Sequence, residues 1–211
     1  MLDNYKKLDN GVIVQEDRKI TMNYDQDYIK SSYSEEAMKN ISYLRYGFLA
    51  GYLSKAGYKN VKGLSVLDVG YGFGHFLNVC SNAGMQSYGH EVNGHDISEF
   101  ASQGDLSWDY DVVTFFDSLE HFKDIDFVKS LKCKHLLISL PWCHYLSDEW
   151  FDKWKHRKYG EHIWHFSENA LCTFLEESGF KVRCVSSFED SLRTPVDNLP
   201  NVLSVVAEKY E

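Results

Sequence analysis

The segment Val66-Leu67-Asp68-Val69-Gly70-Tyr71-Gly72-Phe73-Gly74 constrains this chain more than any other. An apolar run of strand length passes directly into three alternating glycines, and a helical pattern from His75 to Ala83 follows, closed by Gly84. Such glycines let the backbone turn tightly and approach a ligand closely, beside the N–H groups that open the helix. The pattern therefore predicts a nucleotide-type site at a strand-to-helix turn. A dinucleotide fingerprint requires glycine at position 75, where this chain has His75, and no Gly-Lys-Ser or Gly-Lys-Thr marks a phosphate-cradling loop. Asp68, two residues before the first glycine, can accept hydrogen bonds from an ammonium group or from loop amides, which suits a zwitterionic tail better than a pyrophosphate.

Around this turn, strand and helix signals alternate. Strands are predicted over 65–69, 87–92, 110–116 and 135–140, with a short helix around 125–131 and a helix opened by Ser167 and ended by Gly179. Two further strands, 181–186 and 202–207, have no long helix between them and should pair antiparallel. The fold class is α/β: a Rossmann-like, mostly parallel sheet with helices on both faces and an antiparallel C-terminal hairpin. Residues 1–34, polar and tyrosine-bearing, read as an N-terminal extension with a turn at Asn10-Gly11 and a short strand at Val12-Ile13-Val14. Residues 35–211 read as one domain. Its first helix starts at Ser34 and places Ile41, Leu44, Phe48, Leu49 and Leu53 on its apolar face.

With the Asp-x-Gly-x-Gly-x-Gly strand end in place, the sequence resembles the class I S-adenosylmethionine-dependent methyltransferases. The resemblance runs through Tyr110-Asp111-Val112-Val113-Thr114-Phe115-Phe116-Asp117-Ser118-Leu119-Glu120-His121 and His162-Ile163-Trp164-His165-Phe166-Ser167, and covers roughly residues 34–208. Leu119-Glu120-His121 matches a subgroup that acts on small molecules. The resemblance implies S-adenosylmethionine as cofactor, held by Asp68, Gly70, Tyr71, Gly72 and Gly74. Glu91 lies 21 positions after Gly70, a spacing that brings a carboxylate to ribose hydroxyls. The family pattern further implies Val92 against the adenine, and Phe116 and Asp117 against the methionine part. Only 19 residues separate Glu91 from Asp111, so a helix or strand of the usual pattern must be shortened or lost there. Asp105 is either the acceptor for the adenine amine or a turn residue.

Methyl transfer from a sulfonium is an in-line displacement, and a general base is needed only where the acceptor must lose a proton. His121 and His144, both just past strand ends, are the candidates. The stretch 141–165 holds four of the five tryptophans, Trp142, Trp150, Trp154 and Trp164, and reads equally as an acceptor-binding insertion or as a satellite core. Tyr24, Tyr28 and Tyr33 either cap the cofactor's carboxylate or pack the extension onto the domain, and Arg45 is a comparable candidate.

Composition narrows the partners. A formal charge of −9 with 22 dispersed Lys and Arg does not supply a phosphate-neutralising surface, so a small-molecule acceptor is expected and nucleic acid is not. No apolar run approaches a membrane span and no secretory pattern is visible, which predicts a cytoplasmic protein. Five scattered cysteines read as reduced thiols, and His156, His162 and His165 lack i, i+4 spacing, so no metal site is expected. Two rival readings keep the cofactor site but not methyl transfer: an aminopropyl transferase, and an interaction module without turnover. Oligomeric state is not legible.

Overall fold

The computed structural model describes residues 2–22, 34–91, 100–193 and 198–210. In chain order the strands and helices are β1 (Tyr5–Lys7), β2 (Ile13–Gln15), α1 (Glu35–Lys55), β3 (Ser65–Val69), α2 (His75–Asn82), β4 (Gln86–His90), β5 (Ser102–Gln103), β6 (Asp109–Phe116), β7 (Lys132–Pro141), α3 (Asp148–Lys153), β8 (Trp164–His165), α4 (Glu168–Glu177), β9 (Phe180–Ser186) and β10 (Val202–Lys209). A seven-stranded sheet has the order β5-β4-β3-β6-β7-β10-β9. The pairs β3/β4, β3/β6 and β4/β5 are parallel, while β9/β10 is antiparallel as the missing crossover helix required. Among the described residues no helix is long and apolar enough to cross a membrane.

The chain divides into two compact units. One comprises residues 23–116 and 131–137. Here α1 begins where the sequence predicts: Ser34 Oγ accepts from the Ala37 N–H at 3.2 Å, and Glu35 and Glu36 lie in the positive first turn. Its buried stripe is Ile41, Ser42, Arg45, Leu49 and Leu53, so Arg45 is inside while Leu44 and Phe48 are only half-buried. The apolar period placed the stripe about one residue off because it gave no weight to a buried cation. The shortened stretch before Asp111 resolves as a two-residue strand, β5, whose Ser102 pairs with Tyr88 on β4. The third strand of the usual pattern is thus truncated rather than lost.

Gly89 in β4 has a packing reason. A Cβ there would lie 2.6 Å from Tyr71 Cδ1 and 3.0 Å from Leu77 Cδ1, closer than side chains tolerate. Gly89→Ala is therefore expected to destabilise by about 1–3 kcal/mol through overpacking. Urea unfolding measures this, and an unchanged midpoint would show that Tyr71 is not wedged over β4.

The other unit comprises residues 1–22, 117–130 and 138–211. It contains a three-stranded sheet of order β1-β2-β8, joining the N-terminal hairpin to the aromatic stretch through Ile13↔His165 and Val14↔Trp164. Tyr5, Ile13, Cys143, Phe151 and Trp154 form a buried cluster, with Tyr5 edge-on to Phe151 at 5.3 Å between ring centres. Within 141–165, Phe151, Trp154 and Trp164 are buried, whereas Trp142, Tyr145 and Trp150 are half-buried and Tyr159 is exposed, so part of the stretch forms a satellite core. β1 escaped the sequence pattern because a three-residue edge strand, with Lys6 and Lys7 exposed, carries too little alternation to register.

Candidate active site

Asp68 occupies the central strand β3, opposite Gly89 on one side and Thr114 on the other. It is 3% exposed, and the Thr114 hydroxyl donates to its Oδ1 at 2.8 Å. Burial pushes its carboxyl up to about 7, against the pull of the Thr114 bond and the positive charge of Arg45. Arg45 in turn lies over the Phe116 ring at 4.3 Å, and Phe76 meets the same ring edge-on at 4.9 Å. A buried, titratable carboxyl, a buried cation and an aromatic floor are therefore brought together by β3, β6 and α1.

The loop after β3 is left-handed at Gly70, Gly72 and Gly74, with φ of 79°, 56° and 72°. These are angles that side chains adopt only with strain. Among the described residues a Cβ at Gly72 would meet nothing within 4 Å, so toward them the middle of the loop presents open backbone rather than a packed surface. Tyr71 turns inward, 6% exposed, onto Gly89. The Gly70 N–H donates to the His90 carbonyl at 2.8 Å, which ties the loop to the end of β4, and half-buried Glu91 follows immediately.

Asp105 is exposed, and its Oδ1 accepts from the Ser107 N–H at 2.8 Å and the Ser107 hydroxyl at 2.6 Å. It shapes a turn after β5, and those bonds hold its carboxyl below the usual range. Val92 and the tyrosines Tyr24, Tyr28 and Tyr33 lie outside the described residues.

The remaining sequence candidates belong to the unit that contains β8. Asp117 has a left-handed backbone, φ 53°, and its carboxylate is gripped by Arg193 at both oxygens, 2.9 and 2.5 Å. Arg193 Nε also lies 3.2 Å from Glu189, which is fully buried. His144 stacks on Trp142 and donates from Nε2 to the Pro200 carbonyl at 2.7 Å, because a carbonyl can only accept. It borders a cleft of about 140 Å³ lined by Lys7, Cys143, His165 and Ser167 among others, below the roughly 300 Å³ at which small-molecule sites begin. His121 donates from Nδ1 to the Glu161 carbonyl at 2.9 Å, and burial pulls its pKa down, so the ring is held neutral.

Three features escaped the sequence reading. Thr114 had a signal, a lone hydroxyl inside the apolar run Val112 to Phe116, but its register against Asp68 needs the sheet. The Arg193–Asp117–Glu189 group joins positions 76 and 72 residues apart and has no local signature. The third is a cluster: one ligand-type atom from each of Glu120, His121 and His162 falls within 4.8 Å of the others. The histidine-spacing test looked only along helices and could not find it.

A family model described as a methyltransferase domain matches residues 41–185, more than half of the chain. Among solved structures, magnesium protoporphyrin IX methyltransferase from Synechocystis PCC 6803 with bound SAH (S-adenosylhomocysteine) is similar at 18% identity, with 90% of this chain and 89% of that chain covered and a TM-score of 0.54. A SAM-dependent methyltransferase from Aquifex aeolicus follows at 14% identity, 89% and 100% coverage and a TM-score of 0.54. Another, from Mesorhizobium loti, has 18% identity, 74% and 95% coverage and a TM-score of 0.52. At these identities the likeness is one of fold. No curated protein matches the chain.

Proposed function

Taking as premise that the chain belongs to the methyltransferase-domain family, we propose that it moves the methyl group of S-adenosylmethionine to an oxygen or nitrogen of a small molecule or sugar-containing metabolite. The observation that carries the reading is the strand end at Asp68: a buried carboxylate held by Thr114, followed by a left-handed glycine loop with open backbone at Gly72. Those residues fit a ligand with an ammonium group and a close-lying backbone contact, and the donor set lacks the lysine that a polyphosphate would require.

S-adenosylmethionine supplies a methyl group already activated by its sulfonium, so the protein is not asked to activate a leaving group. Asp68 would hold the ammonium end and Glu91 the ribose hydroxyls, while the backbone of the loop from Gly70 to Gly74 would pack against the amino-acid part, its Gly70 and Gly74 N–H groups being bonded to the His90 and Tyr71 carbonyls. Phe116 provides an apolar floor whose position is fixed by Phe76 and Arg45. Val92 and Asp105 would border the adenine; for Asp105 this requires that Ser107 give up the carboxylate it now shares. Asp117 would contribute its backbone, since Arg193 takes its side chain. For an acceptor that must lose a proton, the accepting atom is Nδ1 of His144 or Nε2 of His121, the nitrogens opposite those that donate to carbonyls. The acidic balance of the chain, −9, favours a small acceptor over a polyanion.

The test is formation of S-adenosylhomocysteine in the presence of fractionated metabolites. Turnover dependent on a low-molecular-weight fraction is expected; turnover only with a macromolecular fraction would contradict the small-molecule reading.

A further inference from the structure

Glu120, His121 and His162 sit where the turn after β6 meets the segment leading into β8, within a single compact unit. Glu120 is 2% exposed, and among the described residues neither of its carboxylate oxygens has a hydrogen-bond partner. A carboxylate placed in this way is unfavourable by several kcal/mol unless a cation or a proton accompanies it. Its Oε1 faces His121 Nε2 at 3.8 Å.

Both histidines are set in one tautomer by the backbone. His121 Nδ1 lies 2.9 Å from the Glu161 carbonyl, and His162 Nδ1 lies 2.8 Å from the His156 carbonyl. A carbonyl has no proton to give, so each Nδ1 carries one and each neutral ring holds its lone pair on Nε2. This is the outer support that metal-ligating histidines ordinarily have. The rings meet edge to face at 4.8 Å between centres, and one nitrogen of each ring lies within 4.8 Å of a Glu120 oxygen. Glu161, whose Oε1 is 3.6 Å from His162 Nε2, is already paired with Lys158 at 2.7 Å, so Glu120 is the carboxylate available to the pair.

We propose that Glu120, His121 and His162 form a site for one divalent transition-metal ion, bound through a Glu120 oxygen and the two Nε2 atoms. Ligand atoms about 2.1 Å from an ion stand roughly 3–3.5 Å apart, so the cluster closes on one by side-chain shifts of about an ångström. Two imidazoles and one carboxylate select zinc, iron, cobalt or manganese over the all-oxygen preferences of calcium and magnesium. Metal at His121 Nε2 would leave His144 as the one of the two candidate bases still able to accept a proton.

The test uses the full-length chain, stripped with a chelator and exchanged into metal-free buffer, then titrated with Co²⁺ while its visible d–d absorption is followed. Saturation at about one ion per chain is expected, with Zn²⁺ displacing the Co²⁺ signal. Glu120→Gln and His162→Gln should each weaken Co²⁺ binding at least tenfold. Glu120→Gln replaces a buried carboxyl without a hydrogen-bond partner among the described residues by an uncharged amide of the same shape, so the metal-free variant should melt no lower than the metal-free wild type, and Zn²⁺ should no longer raise its melting temperature. No saturable Co²⁺ binding by the folded wild type would overturn the proposal, and so would equal affinity in the wild type and both variants.

Discussion

Arg193→Ala is expected to destabilise the chain by about 3–5 kcal/mol, the effect of removing one member of a buried charge group. The Arg193 side chain is 18% exposed and its guanidinium pairs with two carboxylates at once: Asp117, held at both oxygens, and Glu189, which is fully buried. Truncation leaves both acids without that cation, and Asp117 sits in a left-handed turn that the ion pair helps to hold. For a chain of this size the loss corresponds to a fall in melting temperature of roughly 10 °C. Arg183 serves as the control, because its pair with Glu208 is 41% and 37% exposed, and Arg183→Ala should stay within about 1 kcal/mol. Equal effects of the two substitutions in chemical unfolding would show that burial of the Arg193 group is not what gives it weight.

The second large effect concerns Asp68. Its folded-state pKa, about 7, lies above the ordinary 3.8. Between those values the folded chain keeps a proton that the unfolded chain has lost, so the contribution of Asp68 to stability is fully present below about 4 and is lost as pH rises toward 7. The linkage amounts to about 4 kcal/mol across that window. Asp68→Asn keeps an acceptor for Thr114 and has no proton to lose, so its stability should be flatter with pH over the same range. The same substitution is expected to weaken S-adenosylmethionine binding at least tenfold, because the amide cannot neutralise an ammonium group. In the wild type at pH 6, binding should release a proton as Asp68 ionises beside that group, seen as a buffer-dependent heat. A wild type without proton release would mean that Asp68 braces the loop and does not meet the ligand.

These expectations divide along a physical line. The glycine loop, the parallel strands and the closing antiparallel pair are written in local pattern: apolar runs of strand length, glycines at turn positions, and Ser34 and Ser167 as helix caps. Asp68 and Glu91 were legible because each sits at a strand end, where sequence position and location in the sheet coincide. What was not legible depends on pairing between distant segments. Thr114 faces Asp68 only through the β3/β6 register, Arg193 reaches Asp117 across 76 residues, and His162 joins Glu120 and His121 from 41 residues away. Arg45 shows a different failure: a cation on a buried helix face breaks the apolar period, and its reason lies in partners from distant segments, among them the Asp68 carboxyl and the Phe116 ring. The aromatic stretch 141–165 left two readings open because tryptophans suit both a core and a site, and composition does not distinguish them.

Titration calorimetry of the wild type and of Glu91→Ala with S-adenosylmethionine and S-adenosylhomocysteine tests the central claim most directly. Saturable binding of both ligands by the wild type at sub-millimolar concentration is expected, weakened at least tenfold in the variant, about 1.4 kcal/mol or more. No heat with either ligand would contradict the assignment of the β3–α2 loop as a cofactor site, and unchanged affinity in Glu91→Ala would show that the ribose is held elsewhere.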